Sequence, residues 1–190
     1  MRLKTRVLIL PGLYNSGPEH WQSIWEKENP GFTRVLQRDW DSPDRAEWVA
    51  ALHMEISSSP LPATLVAHSS ACALVAHWAS VHSGPVRSAL LVAPSDPEAE
   101  SYPKGPTGFS PMPLTRLPFR TIVVASTNDG YVTPERAGFF AERWGARIEF
   151  IGPAGHINSA SRLSRWPAGF ALLQELLQSG DETIAPGNGA

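Results

Sequence analysis

Six short apolar runs punctuate the chain: Val7–Leu10, Arg34–Gln37, Thr64–Ala67, Ala89–Ala93, Ile122–Ala125 and Ile148–Ile151. Each is short and rich in β-branched or aliphatic residues, which predicts strands rather than helices. Between several of them lie stretches with helix-start signals. In Ser16-Gly17-Pro18-Glu19 a hydroxyl precedes a proline suited to the first helical turn and an acid suited to the positive end of the helix dipole. Ser42-Pro43-Asp44 and Thr133-Pro134-Glu135 repeat the device. The pattern predicts helices over about 18–29, 43–57, 70–82, 134–145 and 166–179. Strands alternating with helices imply a mostly parallel sheet covered on both faces.

Two stretches break the alternation. Residues 94–119 contain Pro94, Pro97, Pro103, Pro106, Pro111, Pro113 and Pro118 with few periodic apolar positions. They predict a long irregular loop passing over the C-terminal edge of the sheet, and such loops are often functional. Residues 180–190 read as a disordered polar tail, leaving a single domain over 1–179.

Composition narrows the class. Hydrophobic residues make up 42% and charged residues 18%, with a net charge of −2. That balance supplies no electrostatic pull toward nucleic acid or an anionic membrane. The single cysteine, Cys72, excludes an internal disulfide. The apolar stretch near the N-terminus is cut by Pro11-Gly12 and is too short for a signal core, and no run is long enough to span a bilayer. The expectation is a soluble cytoplasmic protein, monomeric or a weak dimer.

Three segments carry the chemistry. Val66-Ala67-His68-Ser69-Ser70-Ala71, Ser126-Thr127-Asn128-Asp129 and Gly155-His156-Ile157-Asn158 each follow an apolar run. A serine at a sharp strand-to-helix turn, then an acid, then a histidine is the chain order of an α/β-hydrolase triad. A serine hydroxyl needs a base to take its proton. A turn at Ser69 exposes its oxygen at a helix N-terminus, with small residues, Ala67 and Ala71, two positions to either side. A serine-rich helix cap is the plainer reading of Ser69-Ser70. Ser70 competes as nucleophile, but His68 and Cys72 would then occupy the small positions and do not fit.

His156 is the expected base, and Asp129 the acid that orients it. Asn128-Asp129-Gly130 by itself reads equally as a turn. His53, His77 and His82 fall on or near helices and read as structural. No histidine pair has metal-ligand spacing with a carboxylate, and no metal or organic cofactor is expected. An oxyanion needs backbone donors, here the amides of Ser70 and of Leu13 in the loop after the first strand. That loop lacks G-x-G-x-x-G and the P-loop pattern, which disfavours dinucleotide or phosphate binding. The pocket is expected to draw on Gly12, Tyr14, His20 and Trp40. Most of the seven tryptophans read as packing anchors, and Trp40 is the one placed to reach the rim. Cys72, one turn into the helix after Ser69, reads as a buried inert thiol.

The chain resembles the small serine hydrolases related to the retinoblastoma-binding serine hydrolase and its bacterial esterase-like relatives. The resemblance spans roughly residues 6–178. It rests on Leu10-Pro11-Gly12, Ser16-Gly17-Pro18-Glu19-His20-Trp21, Gln37-Arg38-Asp39-Trp40, Val66-Ala67-His68-Ser69, Cys72, Ala76-His77-Trp78-Ala79, Leu91-Val92-Ala93-Pro94, Ala125-Ser126-Thr127-Asn128-Asp129 and Ala154-Gly155-His156-Ile157-Asn158. The chain departs from the family at Ala71, where Gly is usual, and at Gly130, where Pro is common. The resemblance implies a minimal α/β-hydrolase with no large lid and with Ser69, Asp129 and His156 as nucleophile, acid and base. The fold expected is a three-layer α/β/α sandwich of about six mostly parallel strands in the order 2-1-3-4-5-6, with the site at the switch between strands 1 and 3. The expected reaction is hydrolysis of a small-molecule acyl compound, a short or medium carboxylic ester, through a Ser69 acyl-enzyme. The alternatives are an amidase or peptidase with the same triad, an inactive binding module of the same fold, and a flavin- or nucleotide-binding doubly wound domain.

Overall fold

The computed structural model describes residues 5–178; the C-terminal tail expected over 180–190 lies outside the described residues. The described residues form β1 (Arg6–Leu10), α1 (Trp21–Glu28), β2 (Phe32–Arg34), α2 (Arg45–Ser57), β3 (Ala63–His68), α3 (Ser70–Val81), β4 (Val86–Val92), β5 (Arg120–Ala125), α4 (Pro134–Trp144), β6 (Arg147–Phe150) and α5 (Pro167–Gln178). A single turn of 3₁₀ helix occupies Ser159–Ser161.

All six strands lie in one sheet, order β2-β1-β3-β4-β5-β6, and every pairing is parallel. The central strand β3 is buried from end to end, as parallel strands covered on both faces are. Within these runs the side chains still sort by alternation. Leu8, Leu10, Leu65, Ala67, Leu91 and Val123 join the core beneath α2, α3 and α4. Val7, Ile9, Val66, Leu90, Val92 and Val124 join a second core, where Trp21 and Trp25 of α1 meet Leu173 and Leu176 of α5. Two packed layers of helix therefore cover the sheet.

The element boundaries correct three sequence expectations. α1 begins at Trp21 and not near 18, because the His20 side chain accepts the Gln22 amide and caps the helix. Ser16 instead donates its hydroxyl to Gln22 Oε1 at 2.7 Å. α2 is capped by Asp44, which accepts the amides of Ala46 and Glu47, so Ser42-Pro43 precede the helix. The second strand is Phe32–Arg34 rather than Arg34–Gln37. It pairs with Val7–Ile9, and β1 ends before Pro11, which has no N–H to extend a ladder. α4 starts as expected, with Thr133 capping and Pro134 in the first turn.

The segment between β4 and β5 contains no helix or strand. It starts at the C-terminal edge of the sheet, as expected, and then runs down the outside of α2 and α3. Phe109 sits edge-on to Trp48 at 5.6 Å, and its carbonyl accepts the His77 Nε2–H at 2.8 Å. Phe109, Met112 and Leu117 are buried. This segment does the covering that a crossover helix does elsewhere.

Candidate active site

β3 enters a sharp turn at Ser69 and leaves it as α3. Ser69 has φ 59° and ψ −128°, a conformation that costs a non-glycine residue on the order of 1–3 kcal/mol. The surroundings hold it there: its amide donates to the Val92 carbonyl at 2.9 Å. Ala67 and Ala71 are fully buried on either side of the turn, so the elbow accommodates alanine at both small positions. Across from it, the loop after β1 comes so close that a Cβ on Gly12 would lie 2.7 Å from Ser69 Cβ and 2.8 Å from the His68 carbonyl. Only glycine fits there.

That loop is pinned from below. Buried Gln22 donates Nε2–H bonds to Leu10 O at 3.1 Å and Val66 O at 3.0 Å, joining the ends of β1 and β3. Arg34 donates to Asn15 Oδ1 at 2.7 Å and Ser16 O at 3.1 Å. Tyr14 and Asn15 both hold positive φ, 64° and 61°. The amides of Leu13 and Ser70 donate to no acceptor among the described residues, and both residues line the cavity above Ser69. Two unengaged backbone donors beside a serine oxygen are what an oxyanion hole requires.

Asp129 follows β5 and His156 follows β6. Cross-bonds lace the two loops together, from Ala154 N to Ser126 Oγ at 2.9 Å and from Gly155 N to Asn128 Oδ1 at 2.7 Å. The His156 ring lies between acid and serine, with Nδ1 2.8 Å from Asp129 Oδ2 and Nε2 2.8 Å from Ser69 Oγ. The Asp129 side chain is fully buried and also accepts the Tyr131 amide at 2.9 Å. A carboxylate only accepts, so Nδ1 carries the imidazole proton and Nε2 is free to accept from Ser69. Ser69 Oγ is also 2.9 Å from Ser95 Oγ. With its own proton directed at His156, Ser69 accepts the Ser95 hydroxyl.

Two more histidines stand behind this pair. His68 Nε2–H donates to the His156 carbonyl at 2.9 Å, bracing the loop that carries His156. Burial pushes the His68 pKa well down, and His20 and His156 reinforce the shift. His20 meets His68 edge-on at 4.7 Å, and burial, with Arg34 and His156 adding to it, lowers its pKa to about 4. Both rings are neutral at pH 7.

A cavity of about 270 Å³ opens over Ser69, walled by Leu13, Tyr14, His20, Ser95, Pro103 and Tyr131 among others. Of the residues expected around it, Leu13, Tyr14, His20, Ser69, Ser70 and His156 line it, and Gly12 lies directly against Ser69. Trp40 does not. Its indole packs on Trp48 at 5.7 Å, and its link to the site is its carbonyl, which accepts the Tyr14 amide at 2.8 Å. Trp48 offers a large apolar face inward, which outweighs exposure at the rim. Ser70 Oγ accepts from Tyr102 OH at 3.0 Å and has no base beside it. Burial drives the Cys72 thiol far above its usual range, leaving it inert. Ser95, Tyr102 and Tyr131 were not anticipated. The available signal was positional: Ser95 closely follows the end of β4, the same edge that carries Ser69, Asp129 and His156.

Among the described residues no group of histidines, cysteines and carboxylates could hold a metal ion, and no helix is long and apolar enough to cross a membrane.

Comparison with known proteins identifies the family and the fold. A sequence model of the serine hydrolase family matches residues 7–175. A solved structure described as a YdeN-like hydrolase from Pectobacterium atrosepticum is 30% identical, with a TM-score of 0.81, over 92% of this chain and 91% of that one. The ydeN gene product of Bacillus subtilis matches at 15% identity and a TM-score of 0.71, over 91% of this chain and 98% of its own. Est1E from Butyrivibrio proteoclasticus, solved with ferulic acid bound, matches at 10% identity and a TM-score of 0.67, over 93% and 91% of the two chains, and shares the fold. Comparison with curated protein sequences returns no match. The chain belongs to the serine hydrolase family and is a serine hydrolase of the α/β-hydrolase fold.

Proposed function

We propose that this hydrolase cleaves short carboxylic esters through an acyl-enzyme on Ser69, with His156 as general base and acid and Asp129 as its orienting carboxylate. The observation that carries this reading is the single imidazole bridging a buried carboxylate and a strained serine, at 2.8 Å on each side. Ser69 Oγ attacks the ester carbonyl carbon while its proton passes to His156 Nε2. The carbonyl oxygen takes the negative charge and accepts from the Leu13 and Ser70 amides. Asp129 stabilises the imidazolium through Nδ1–H. Collapse of the intermediate breaks the bond to the alcohol oxygen, which leaves with the proton from Nε2. A water then attacks the acyl-enzyme with His156 again as base, releasing the carboxylic acid and restoring Ser69–OH.

Size favours a short acyl group. The cavity of about 270 Å³ is at or below the lower end for drug-sized ligands. Initial rates with p-nitrophenyl acetate, butyrate and palmitate, and with the matching p-nitroanilides, test the reading. Acetate and butyrate esters are expected to turn over far faster than palmitate and faster than the anilides, with all activity lost in Ser69→Ala. Ester turnover no greater than that of Ser69→Ala would overturn it, and anilides as the better substrates would replace ester cleavage by amide cleavage.

A further inference from the structure

Ser69 Oγ has two partners, and the acyl-transfer steps use only one of them. It lies 2.8 Å from His156 Nε2 and 2.9 Å from Ser95 Oγ. A hydroxyl has one proton and two lone pairs. The Ser69 proton points at the imidazole, so one lone pair accepts the Ser95 O–H and the other is left for the substrate carbon. Ser95 is buried at the cavity wall, and its hydroxyl makes no other hydrogen bond among the described residues. The backbone on both sides of it is tied down. The Ala93 amide donates to Val124 O at 2.8 Å and the Asp96 amide to Tyr131 O at 3.0 Å. Arg136 Nε donates to the Asp96 carboxylate at 2.7 Å and anchors the same segment on α4. A donor held this firmly against one atom is preorganised for that atom. Ser95 needs no contact with substrate, because the oxygen it touches is itself the reacting one.

We propose that Ser95 is a further catalytic residue, whose hydroxyl assists the departure of Ser69 Oγ from the acyl-enzyme. This rests on the ester-hydrolysis reading for the acyl-enzyme itself. The strength of the Ser95 bond follows the electron density on Oγ. In the free enzyme Oγ is a hydroxyl oxygen polarised by His156, and it accepts well. In the acyl-enzyme its lone pair is delocalised into the carbonyl, and the ester oxygen accepts weakly. As water attacks the acyl carbon and passes a proton to His156 Nε2, that delocalisation ends. The C–Oγ bond then breaks and its electron pair stays on Oγ. Oγ takes the proton back from Nε2, while Ser95 keeps its own proton throughout. The Ser95 bond is therefore weak before deacylation and strong in its transition state, which is the condition for accelerating a step. In acylation the bond is present both before and during attack, and such uniform stabilisation leaves that rate nearly unchanged.

Ser95→Ala removes the donor. p-Nitrophenyl acetate reports the two half-reactions separately: the burst of nitrophenol follows acylation, and the steady phase after it follows deacylation. In Ser95→Ala deacylation is expected to slow by roughly threefold to tenfold, the scale of one neutral hydrogen bond. kcat and KM are expected to fall together, with kcat/KM changed by less than about twofold, and the acetyl-enzyme to accumulate further by intact-protein mass. A merely structural role would displace Ser69 and slow acylation as well. An equal loss in both phases, or no loss in deacylation, would therefore overturn the proposal. Ser95→Cys keeps a similar volume with only a weak S–H donor, and is expected to deacylate at a rate between the two. A cysteine variant as fast as wild type would contradict the need for a strong donor. A second readout does not need ester turnover. Hydroxylamine reactivation of the fluorophosphonate-labelled protein expels the same oxygen from phosphorus, and is expected to be slower in Ser95→Ala by a similar factor. Equal reactivation rates contradict the proposal. A wild type without ester turnover that keeps this difference would instead fail the ester-hydrolysis reading and uphold Ser95.

Discussion

Two imidazoles flank the Ser69 turn with ring centres 5.0 Å apart, and they are built for opposite tasks. His156 has a carboxylate on Nδ1 and a hydroxyl on Nε2. His68 has a backbone carbonyl on Nε2 and no carboxylate beside it. The carboxylate fixes the tautomer of His156, and in the proposed mechanism it pairs with the imidazolium formed as Ser69 attacks. The carbonyl fixes His68 as a donor, and burial keeps it from taking up a proton. The lesson is that the partner on the far nitrogen, and not nearness to the serine, decides which histidine can act as a base. His68 remains useful as a brace, because the atom it holds is the His156 backbone itself.

The strongest way to break the contrast is to take the carboxylate from His156. Asp129→Asn keeps the shape of the site but offers Nδ1 an amide that can settle the ring in the wrong tautomer. Its kcat on a short ester is expected to fall about 10⁴-fold, measured against wild type with the fold checked by circular dichroism. A loss below tenfold would mean that Asp129 does not set the tautomer. Gly12→Ala tests the approach of the oxyanion loop to the turn that separates the two histidines. Its Cβ would overlap Ser69 Cβ and the His68 carbonyl, and a displacement of about 1 Å at the nucleophile is expected to cost on the order of 10²-fold in kcat/KM. Full activity in this variant would show that the loop can move away freely.

His68→Phe removes the brace and leaves the His156 carbonyl unpaired. An unfolding free energy lower by about 1–3 kcal/mol is expected from denaturant titration, with a smaller loss of activity than for Asp129→Asn. If instead activity fell as far as in Asp129→Asn, the assignment of base and brace would be wrong. The mildest test is pH. His20 is held neutral in the folded chain with its pKa lowered to about 4, against 6.5 in the unfolded chain. The unfolded state therefore gains a proton first as pH falls. The stability due to the neutral ring is fully present above pH 6.5, declines between 6.5 and 4 by up to about 3 kcal/mol, and levels off below that. His68 acts in the same direction. Denaturant titrations across that range are expected to show a shallower decline in His20→Asn than in wild type, and identical slopes would refute the His20 contribution.

Much of this was legible in the chain. Strand order, the alternation of strands with helices and the convergence of Ser69, Asp129 and His156 follow from apolar runs, turn residues and the order of three reactive side chains, all of which are local signals. What was not legible depends on distant partners. Pro18 looks like a helix start, and only the fold reveals that His20 reaches Gln22 to begin the helix later. Trp40 sits at the right strand end for the rim, but Trp48, on a different element, draws it inward. Ser95 lies in a proline-rich stretch with no periodicity, so nothing in its neighbourhood announces a hydroxyl 2.9 Å from the nucleophile. Glutamine is a mostly exposed residue type, yet Gln22 is fully buried and donates to the two strand-end carbonyls of Leu10 and Val66.

In the proposed mechanism His156 makes the Ser69 oxygen nucleophilic. Treatment with a fluorophosphonate, followed by intact-protein mass measurement, tests it without knowledge of the natural substrate. One stoichiometric adduct is expected on wild type and none on folded Ser69→Ala. No adduct on folded wild-type protein, or an equal adduct on Ser69→Ala, would contradict it.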